Sequence, residues 1–206
     1  MNSKGTSVII NIVLFAIIVF LAIKVVQSIQ DPIKFGNEKR ARELVVAQRL
    51  IDIRNAQLEY KKMNGRFTAD FDSLLAFVDT VSVPVVKIIP DPEDTTFTKT
   101  INDTLGFVRV YDSLFGKRNN FKLNDMRYVP FSEGNQQFEM QAGFIKRGGV
   151  NIAVFEAKTP YEVYLYGLED QRIINAKAEQ EQIDKYPGLR VGSMEEATTD
   201  GNWEKF

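Results

Sequence analysis

The chain divides, by its pattern of apolar and polar positions, into an apolar N-terminal stretch, an amphipathic stretch and a strand-rich part. Residues Val8–Val26 read VIINIVLFAIIVFLAIKVV, in which only Asn11 and Lys24 are polar. As a helix this stretch is about 28 Å long, close to the thickness of a bilayer's hydrocarbon core. Apolar side chains on every face are typical of a membrane span. The pattern predicts a transmembrane anchor within residues 1–30 that binds the lipid bilayer.

A cleaved signal peptide is the alternative interpretation of the same stretch. Lys4 supplies one basic residue before it, as signal peptides require, but Val26-Gln27-Ser28 is a poor cleavage site. The apolar run also exceeds the roughly 7–15 residues usual for a signal peptide. An uncleaved anchor is therefore favoured.

Residues 31–80 are predicted to form an amphipathic helix, a turn and a short helix. Asp31-Pro32 predicts a break after the anchor, because proline disfavours helix at the residue before it. A helical period then returns from about Phe35 to Met63, and Asn64-Gly65 is a typical stop. Thr68 or Asp70 is expected to cap the short helix that follows.

The amphipathic helix carries two neighbouring rows of residues at helical spacing. One row contains Leu44, Gln48, Ile51, Asn55 and Leu58, and the other contains Val46, Leu50, Ile53 and Gln57. Such a broad apolar stripe binds either the protein's own core or a partner helix. The candidate partner-binding residues are Leu44, Leu50, Ile51, Ile53 and Leu58.

Residues 81–186 are predicted to form a β-rich domain with a C-terminal helix. The β-like runs are Val83–Ile89, Gly106–Tyr111, Arg127–Phe131, Gln137–Ile145, Val150–Glu156 and Tyr161–Tyr166. A hairpin turn is expected at Lys146–Gly149, a helix at Glu169–Tyr186, and an extended polar segment over residues 187–206. The fold class is therefore α+β, with the long N-terminal helix packed on an antiparallel sheet.

Composition excludes several kinds of chemistry. The chain has no Cys and no His, which excludes thiol nucleophiles, disulfides, Ser-His-Asp triads and the usual zinc sites. A net charge of −1 does not favour binding of nucleic acid. Asp91, Glu93 and Asp94 are close in sequence, but their pattern favours a solvated acidic turn over a calcium loop. We predict no catalytic residue, no cofactor and no metal.

One segment resembles the end of the long helix, and the loop after it, in type IV pilins and pseudopilins. Leu50–Leu75 reads LIDIRNAQLEYKKMNGRFTADFDSLL, and the matching features are Ile53-Arg54, Ala56, Tyr60, Asn64-Gly65, Arg66-Phe67-Thr68 and Leu74. The general plan is similar too, with an apolar helix, an amphipathic continuation and a sheet. The resemblance implies a pilin-like fold and association with other proteins, or with further copies, through the N-terminal helix.

The N-terminus departs from the pilin pattern. Pilins have a basic-Gly peptidase site followed by an aromatic residue, with Glu five positions in; here Lys4-Gly5 precedes Thr6, and Ile10 stands at the Glu position. Processing by the prepilin peptidase is therefore not expected. The C-terminal segments Tyr186–Ser193 and Gly201–Glu204 look similar to the C-termini of membrane-anchored proteins of Gram-negative bacteria, a resemblance that implies no particular function.

Two signals disagree on which side of the membrane the domain lies. Four basic residues follow the anchor closely, namely Lys34, Lys39, Arg40 and Arg42, which favours a cytoplasmic domain. Against this, Asp-Ser/Thr followed by an apolar residue or Thr occurs five times, with the acceptor positions Ser73, Thr80, Thr95, Thr104 and Ser113. This triplet resembles the acceptor of a periplasmic O-glycosylation system, although Asp-Ser and Asp-Thr pairs are also ordinary turn and cap chemistry. We predict a periplasmic domain anchored in a bacterial inner membrane.

The sequence as a whole predicts a protein that binds rather than catalyses. The first hypothesis is a non-enzymatic single-pass membrane protein, a pilin-like structural or accessory subunit of an envelope assembly or secretion machine. The alternative is a membrane-anchored periplasmic binding module for a peptide, glycan or lipid, which requires a concave pocket in the β-rich domain.

Overall fold

The N-terminal helix dominates the architecture. A computed structural model describes residues 3–90 and 100–204, and its first helix, α1, runs unbroken over Ser3–Asn64. Side chains from Ile10 to Lys34 are exposed on every side, whereas Val46 and Leu50 are buried in the domain. Within the described residues, α1 is the one helix long and apolar enough to cross a membrane.

The predicted break at Asp31-Pro32 is wrong, because α1 continues through Pro32. Proline removes one backbone N–H donor and crowds the preceding turn, which can kink a helix without ending it. Residues on both sides of Pro32 have helical patterns of their own, and these outweigh the local cost. The predicted end at Asn64-Gly65 is confirmed: Gly65 takes φ +71° and its N–H donates to the Lys61 carbonyl at 2.8 Å.

A short helix and a two-stranded ribbon follow α1. Helix α2 spans Phe71–Thr80, and Asp70 caps it by accepting hydrogen bonds from the N–H groups of Asp72 and Ser73. Strand β1 (Ser82–Pro90) pairs antiparallel with β2 (Thr100–Arg109), with a bulge between Val85 and Val86. This confirms the strand predicted at Val83–Ile89. The strand predicted at Gly106–Tyr111 ends two residues early, because α3 (Val110–Phe115) begins there.

The second sheet has three antiparallel strands in the order β3-β4-β5. Strand β3 is Glu139–Arg147, β4 is Val150–Pro160 and β5 is Gly188–Gly192. The predicted hairpin turn is confirmed: Arg147 lies opposite Val150, and Gly148 and Gly149 between them take φ of +58° and +84°. Two successive left-handed residues suit a two-residue turn whose twist matches that of the strands.

Three predicted elements need correction. Tyr161–Tyr166 is not a strand, because residues Tyr161–Tyr164 form a short helix, α4, that buries Tyr161 and Tyr164 together. Arg127–Phe131 contributes only a single bridge, between Tyr128 and Gln137, after the 3-10 turn Leu123–Arg127. The segment 187–206 is not simply extended and polar, because it supplies β5 with buried Leu189 and Val191. Helix α5 spans Asp170–Glu181, within the predicted range.

The core lies between the second half of α1 and the three-stranded sheet. Phe155 and Ala157 of β4 face Val46, Leu50 and Ile53 of α1 across a single apolar cluster that α2 and α3 complete. The mixed architecture with antiparallel sheets matches the predicted α+β class. This packing makes the second half of α1 the core helix of the domain and leaves the apolar first half exposed.

Candidate functional site

The predicted partner-binding residues lie in different surroundings. Leu50 and Ile53 are fully buried in the protein's own core, so the expectation that they bind a partner is corrected. Ile51 and Leu58 are partly buried. Leu44 alone remains open, with 67% of its surface exposed. Helical spacing identifies an apolar face, but it does not distinguish a face covered by the chain's own sheet from one covered by another protein.

Polar contacts fix the domain to the part of α1 around Arg42. The Arg42 guanidinium donates to the carbonyl oxygens of Tyr164 and Tyr166, at 3.2 and 2.8 Å, and to Glu38 at 3.1 Å. The Tyr164 hydroxyl donates to Glu43 at 3.3 Å. A planar guanidinium that donates to several acceptors is held in one orientation. These bonds therefore set the angle between α1 and the α4 region. They also occupy Arg42, one of the four basic residues that follow the apolar stretch of α1.

A cleft of about 720 Å³ lies beside this junction. One wall comes from α1, with Arg40, Leu44 and Ala47; the rest comes from α4, the turn after α5, β5 and the C-terminal segment. Its aromatic lining consists of Tyr161, Tyr186 and Trp203. The cleft is therefore amphipathic, with apolar rings and the Leu44 side chain among charged groups.

Several polar side chains of the cleft are held by neighbouring groups of the chain. Burial raises the pKa of the Tyr161 and Tyr186 hydroxyls, so both stay neutral at physiological pH. Lys39 pairs with Glu43 at 3.6 Å and its ammonium lies 4.6 Å from the Tyr161 ring centre. The hydroxyl of Ser193 accepts the N–H groups of Glu195 and Glu196 at 3.1 and 3.2 Å, which is turn capping. This arrangement suits binding by contact and charge.

The C-terminal segment closes the outer edge of β5 and forms the far wall of the cleft. The Asn202 side chain accepts the Arg190 N–H at 3.2 Å and donates to the Gly188 carbonyl at 2.9 Å. Val191 also bridges to Gly201, on which the Trp203 ring packs so closely that a Cβ there would lie 2.5 Å from it. A strand edge that is covered in this way is protected from pairing with other chains.

The sequence pattern did not predict the cleft. Its lining comes from five separate parts of the chain, which no local pattern connects. The one usable signal was the C-terminal pair of segments Tyr186–Ser193 and Gly201–Glu204, which contains many of the lining residues, including Trp203. That resemblance pointed to the right residues without indicating what they do.

The β1–β2 ribbon presents a second exposed apolar surface. Phe107 is 74% exposed and Leu105 is 65% exposed, with Val85 and Val86 on the neighbouring strand also exposed. A two-stranded ribbon has little stability of its own in water and gains it by packing against something else. Large exposed apolar side chains on such a ribbon are typical of a protein-binding surface.

The predicted glycosylation positions are exposed wherever the structure describes them. Ser73, Thr80, Thr104 and Ser113 all lie on the surface, and Thr95 falls outside the described residues. The Ser73 hydroxyl donates to Asp70 at 2.6 Å and the Thr80 hydroxyl donates to the Ala76 carbonyl at 2.7 Å. Ser73 and Thr80 lie in α2, Thr104 in β2 and Ser113 in α3, so all four described acceptors belong to regular elements rather than turns.

Across the described ranges 3–90 and 100–204, no group of three or more carboxylates is placed to hold a metal ion. Asp91, Glu93 and Asp94 fall outside those ranges. Comparison with protein-family models, curated proteins and solved structures finds no match to this chain.

Proposed function

We propose that the protein is a non-enzymatic, single-pass membrane protein that serves as a pilin-like structural or accessory subunit of an envelope assembly or secretion machine. The observation that carries this proposal is the continuity of α1. Its first half exposes apolar side chains on every side, and its second half is the core helix of the domain. A bilayer would cover the first half, and the domain would then stand on the membrane without a flexible linker.

This geometry suits an assembly better than a tethered enzyme. A linker lets a domain search for diffusing substrates, whereas a continuous helix holds the domain at a fixed distance and angle. The bonds from Arg42 to the Tyr164 and Tyr166 carbonyls strengthen that fixed relation. Two exposed apolar surfaces outside the span, at Leu44 on α1 and Phe107 on the ribbon, are then available to other proteins.

Photo-crosslinking in native membranes tests the proposal. A photoreactive amino acid at Phe107, on the exposed ribbon, is expected to give adducts with other envelope proteins. The matched control is Gln171, an exposed polar residue of α5 whose side chain bonds Asn175 one turn further along the same helix. Absence of any protein adduct at Phe107, with full expression and membrane insertion, would contradict the proposal for this surface.

The proposal places the domain in the periplasm, anchored in a bacterial inner membrane. The surface positions of Ser73, Thr80, Thr104 and Ser113 support it, since an attached glycan needs exposed acceptors. Protease added to intact spheroplasts is expected to digest the domain. The mass of the protein is expected to exceed that of the bare chain, and to fall when the four acceptors are changed to Ala. Protection until lysis would place the domain in the cytoplasm.

The cleft favours a second candidate function, a membrane-anchored binding module for a peptide, glycan or lipid. Its volume of about 720 Å³ is within the range of small-molecule and peptide sites. Trp203 lines the cleft and is the only tryptophan of the chain, so its fluorescence reports on occupancy. Titration with peptide, glycan and phospholipid panels is expected to shift this emission for one class. No shift with any class would remove this candidate.

A further inference from the structure

One wall of the cleft continues a single face of the membrane-spanning helix. Successive residues of an α-helix are rotated by about 100°, so positions along α1 can be assigned to faces. A face about 80° wide includes, from the membrane span to the cleft, Asn11, Ala22, Ile29, Ile33, Gly36, Arg40, Leu44 and Ala47. The last three line the cleft. A second helix lying along this face inside the bilayer would therefore meet the cleft at the other end of the same face.

Asn11 gives this face a polar group within the apolar span. Its side chain is exposed and makes no hydrogen bond to the described part of its own chain. An amide without a partner is costly in hydrocarbon, and amide side chains commonly bond across paired membrane helices. In a parallel, symmetric pair the amide opposite Asn11 is another Asn11, and each can donate to and accept from the other.

The charges of the cleft are also complementary to this face. Arg40 forms no ion pair with the residues that the structure describes, and neither do Asp184 and Glu196, which also line the cleft. When Leu44 of one copy occupies the cleft of the other, Arg40 of the first copy would approach Asp184 and Glu196 of the second. A symmetric pair makes this contact twice.

We propose that the cleft and this face of α1 bind α1 of a second copy of the chain, in a parallel two-fold pair. The inference rests on the proposed function and names the first partner of the assembly. Both copies insert in the membrane in the same orientation, which makes the pair parallel. The contact buries Leu44, the largest exposed apolar side chain of α1 within the cleft.

Disulfide trapping tests the pair directly, because the chain has no Cys and every introduced Cys is therefore unique. The full-length Leu44→Cys variant, oxidised in native membranes, is expected to give a band at twice the mass of its own reduced monomer. The control Gln171→Cys lies on exposed α5 and is expected to stay monomeric. Equal, weak dimer bands for both variants would overturn the proposal.

A charge reversal supplies the second test. Arg40→Glu in the Leu44→Cys background is expected to lower the trapped dimer at least tenfold, and Asp184→Arg together with Glu196→Arg is expected to restore it. Far-UV circular dichroism and the thermal unfolding midpoint verify that each variant keeps its fold. A dimer band that Arg40→Glu leaves unchanged would contradict the assigned contact.

The outcomes separate this inference from the proposed function. If Leu44→Cys gives no homodimer while a photoreactive group at Phe107 still captures other proteins, the second copy is excluded and the assembly role stands. A photoreactive amino acid at position 44 that captures only a different protein likewise excludes the second copy and leaves the assembly role in place. If neither position captures any protein, both proposals fail.

Discussion

The carboxylate of Asp52, buried in α1, accepts two hydrogen bonds from the guanidinium of Arg118, at 2.7 and 2.8 Å. Arg118 follows α3, so this pair joins the long helix to the part of the chain that carries the ribbon. Gln48 donates a third bond to Asp52 at 3.2 Å. The same bonds raise the pKa of Arg118 above its ordinary value. Asp52 is almost fully buried, so its charge depends on these partners.

Arg118→Ala is expected to destabilise the domain by about 2 kcal/mol, because it leaves a buried carboxylate with only one donor. Urea unfolding followed by Trp203 fluorescence measures the change. Arg118→Lys is expected to recover part of the loss, since an ammonium keeps the charge but cannot form the fork. The control is Arg109→Ala, which breaks the exposed pair with Asp112 at 2.9 Å and is expected to change little. Equal effects at positions 109 and 118 would contradict the assignment.

A buried amide joins α1 to the loop that follows it. Gln57 donates to the Thr68 carbonyl at 2.5 Å and accepts the Thr68 N–H at 3.1 Å. Its amide thus makes the same two hydrogen bonds to the Thr68 backbone as a residue of a paired β-strand would. Gln57→Ala therefore leaves two backbone groups without partners and is expected to cost about 2–3 kcal/mol. The exposed Gln171→Ala is the control, with an expected change below about 0.5 kcal/mol. Amide exchange at Thr68 should rise in the first variant only.

The elements predicted correctly from sequence have strong local signals. The exposed apolar half of α1, the Asp70 cap and the Gly148-Gly149 turn each depend on a few adjacent residues. The elements missed depend on distant contacts. Tyr161-Glu162-Val163-Tyr164 has residues typical of a strand, and burial of both tyrosines against the rest of the chain makes it helical instead.

The cleft could not be predicted for the same reason, because it depends on contacts between distant parts of the chain. Gly188–Gly192 is short and glycine-flanked, so nothing local identifies it as β5; its pairing with β4 bridges some thirty residues of chain. The cleft depends on that pairing and could not be predicted before it. The helical period correctly placed Leu50 and Ile53 on the apolar face of α1. It could not show that the protein's own three-stranded sheet, rather than a partner, packs against that face.

Removing the Asn202 side chain is expected to open the edge of β5. Asn202→Ala loses the bonds to the Arg190 N–H and the Gly188 carbonyl, so amide exchange at Arg190 should accelerate by at least tenfold. Trp203 emission should shift to longer wavelength as the C-terminal segment leaves the cleft. Asn175→Ala on exposed α5 is the control. Unchanged exchange at Arg190 would mean that the segment does not protect the strand.

The cap of α2 predicts a pH dependence. Hydrogen bonds from the hydroxyl and N–H of Ser73 hold the pKa of the Asp70 carboxyl below its ordinary value of 3.8. A carboxyl with a lowered folded-state pKa contributes its full stability above pH 3.8 and loses it as the pH falls through the lowered value. The free energy of unfolding, measured with urea, is therefore expected to be lower for Asp70→Ala than for the parent at pH 7. This difference is expected to narrow below pH 3.8. A difference in unfolding free energy that does not change with pH would show that the charge of the Asp70 carboxylate does not stabilise α2.

The division of α1 into two halves predicts where the chain can be shortened. Side chains from Ile10 to Ile33 are exposed, whereas Phe35 packs against the core cluster. A fragment that begins at Lys34 is expected to stay in solution. Its free energy of unfolding is expected to lie within about 0.5 kcal/mol of that of the full chain in detergent, because the fragment loses no packed side chain. A fragment that begins at Val46 loses Phe35 and the Arg42 bonds to α4, and is expected to be destabilised by several kcal/mol. If the two fragments were equally stable, the turns of α1 between Lys34 and Val46 would not belong to the domain, and the rigid connection on which the proposed assembly role depends would be excluded.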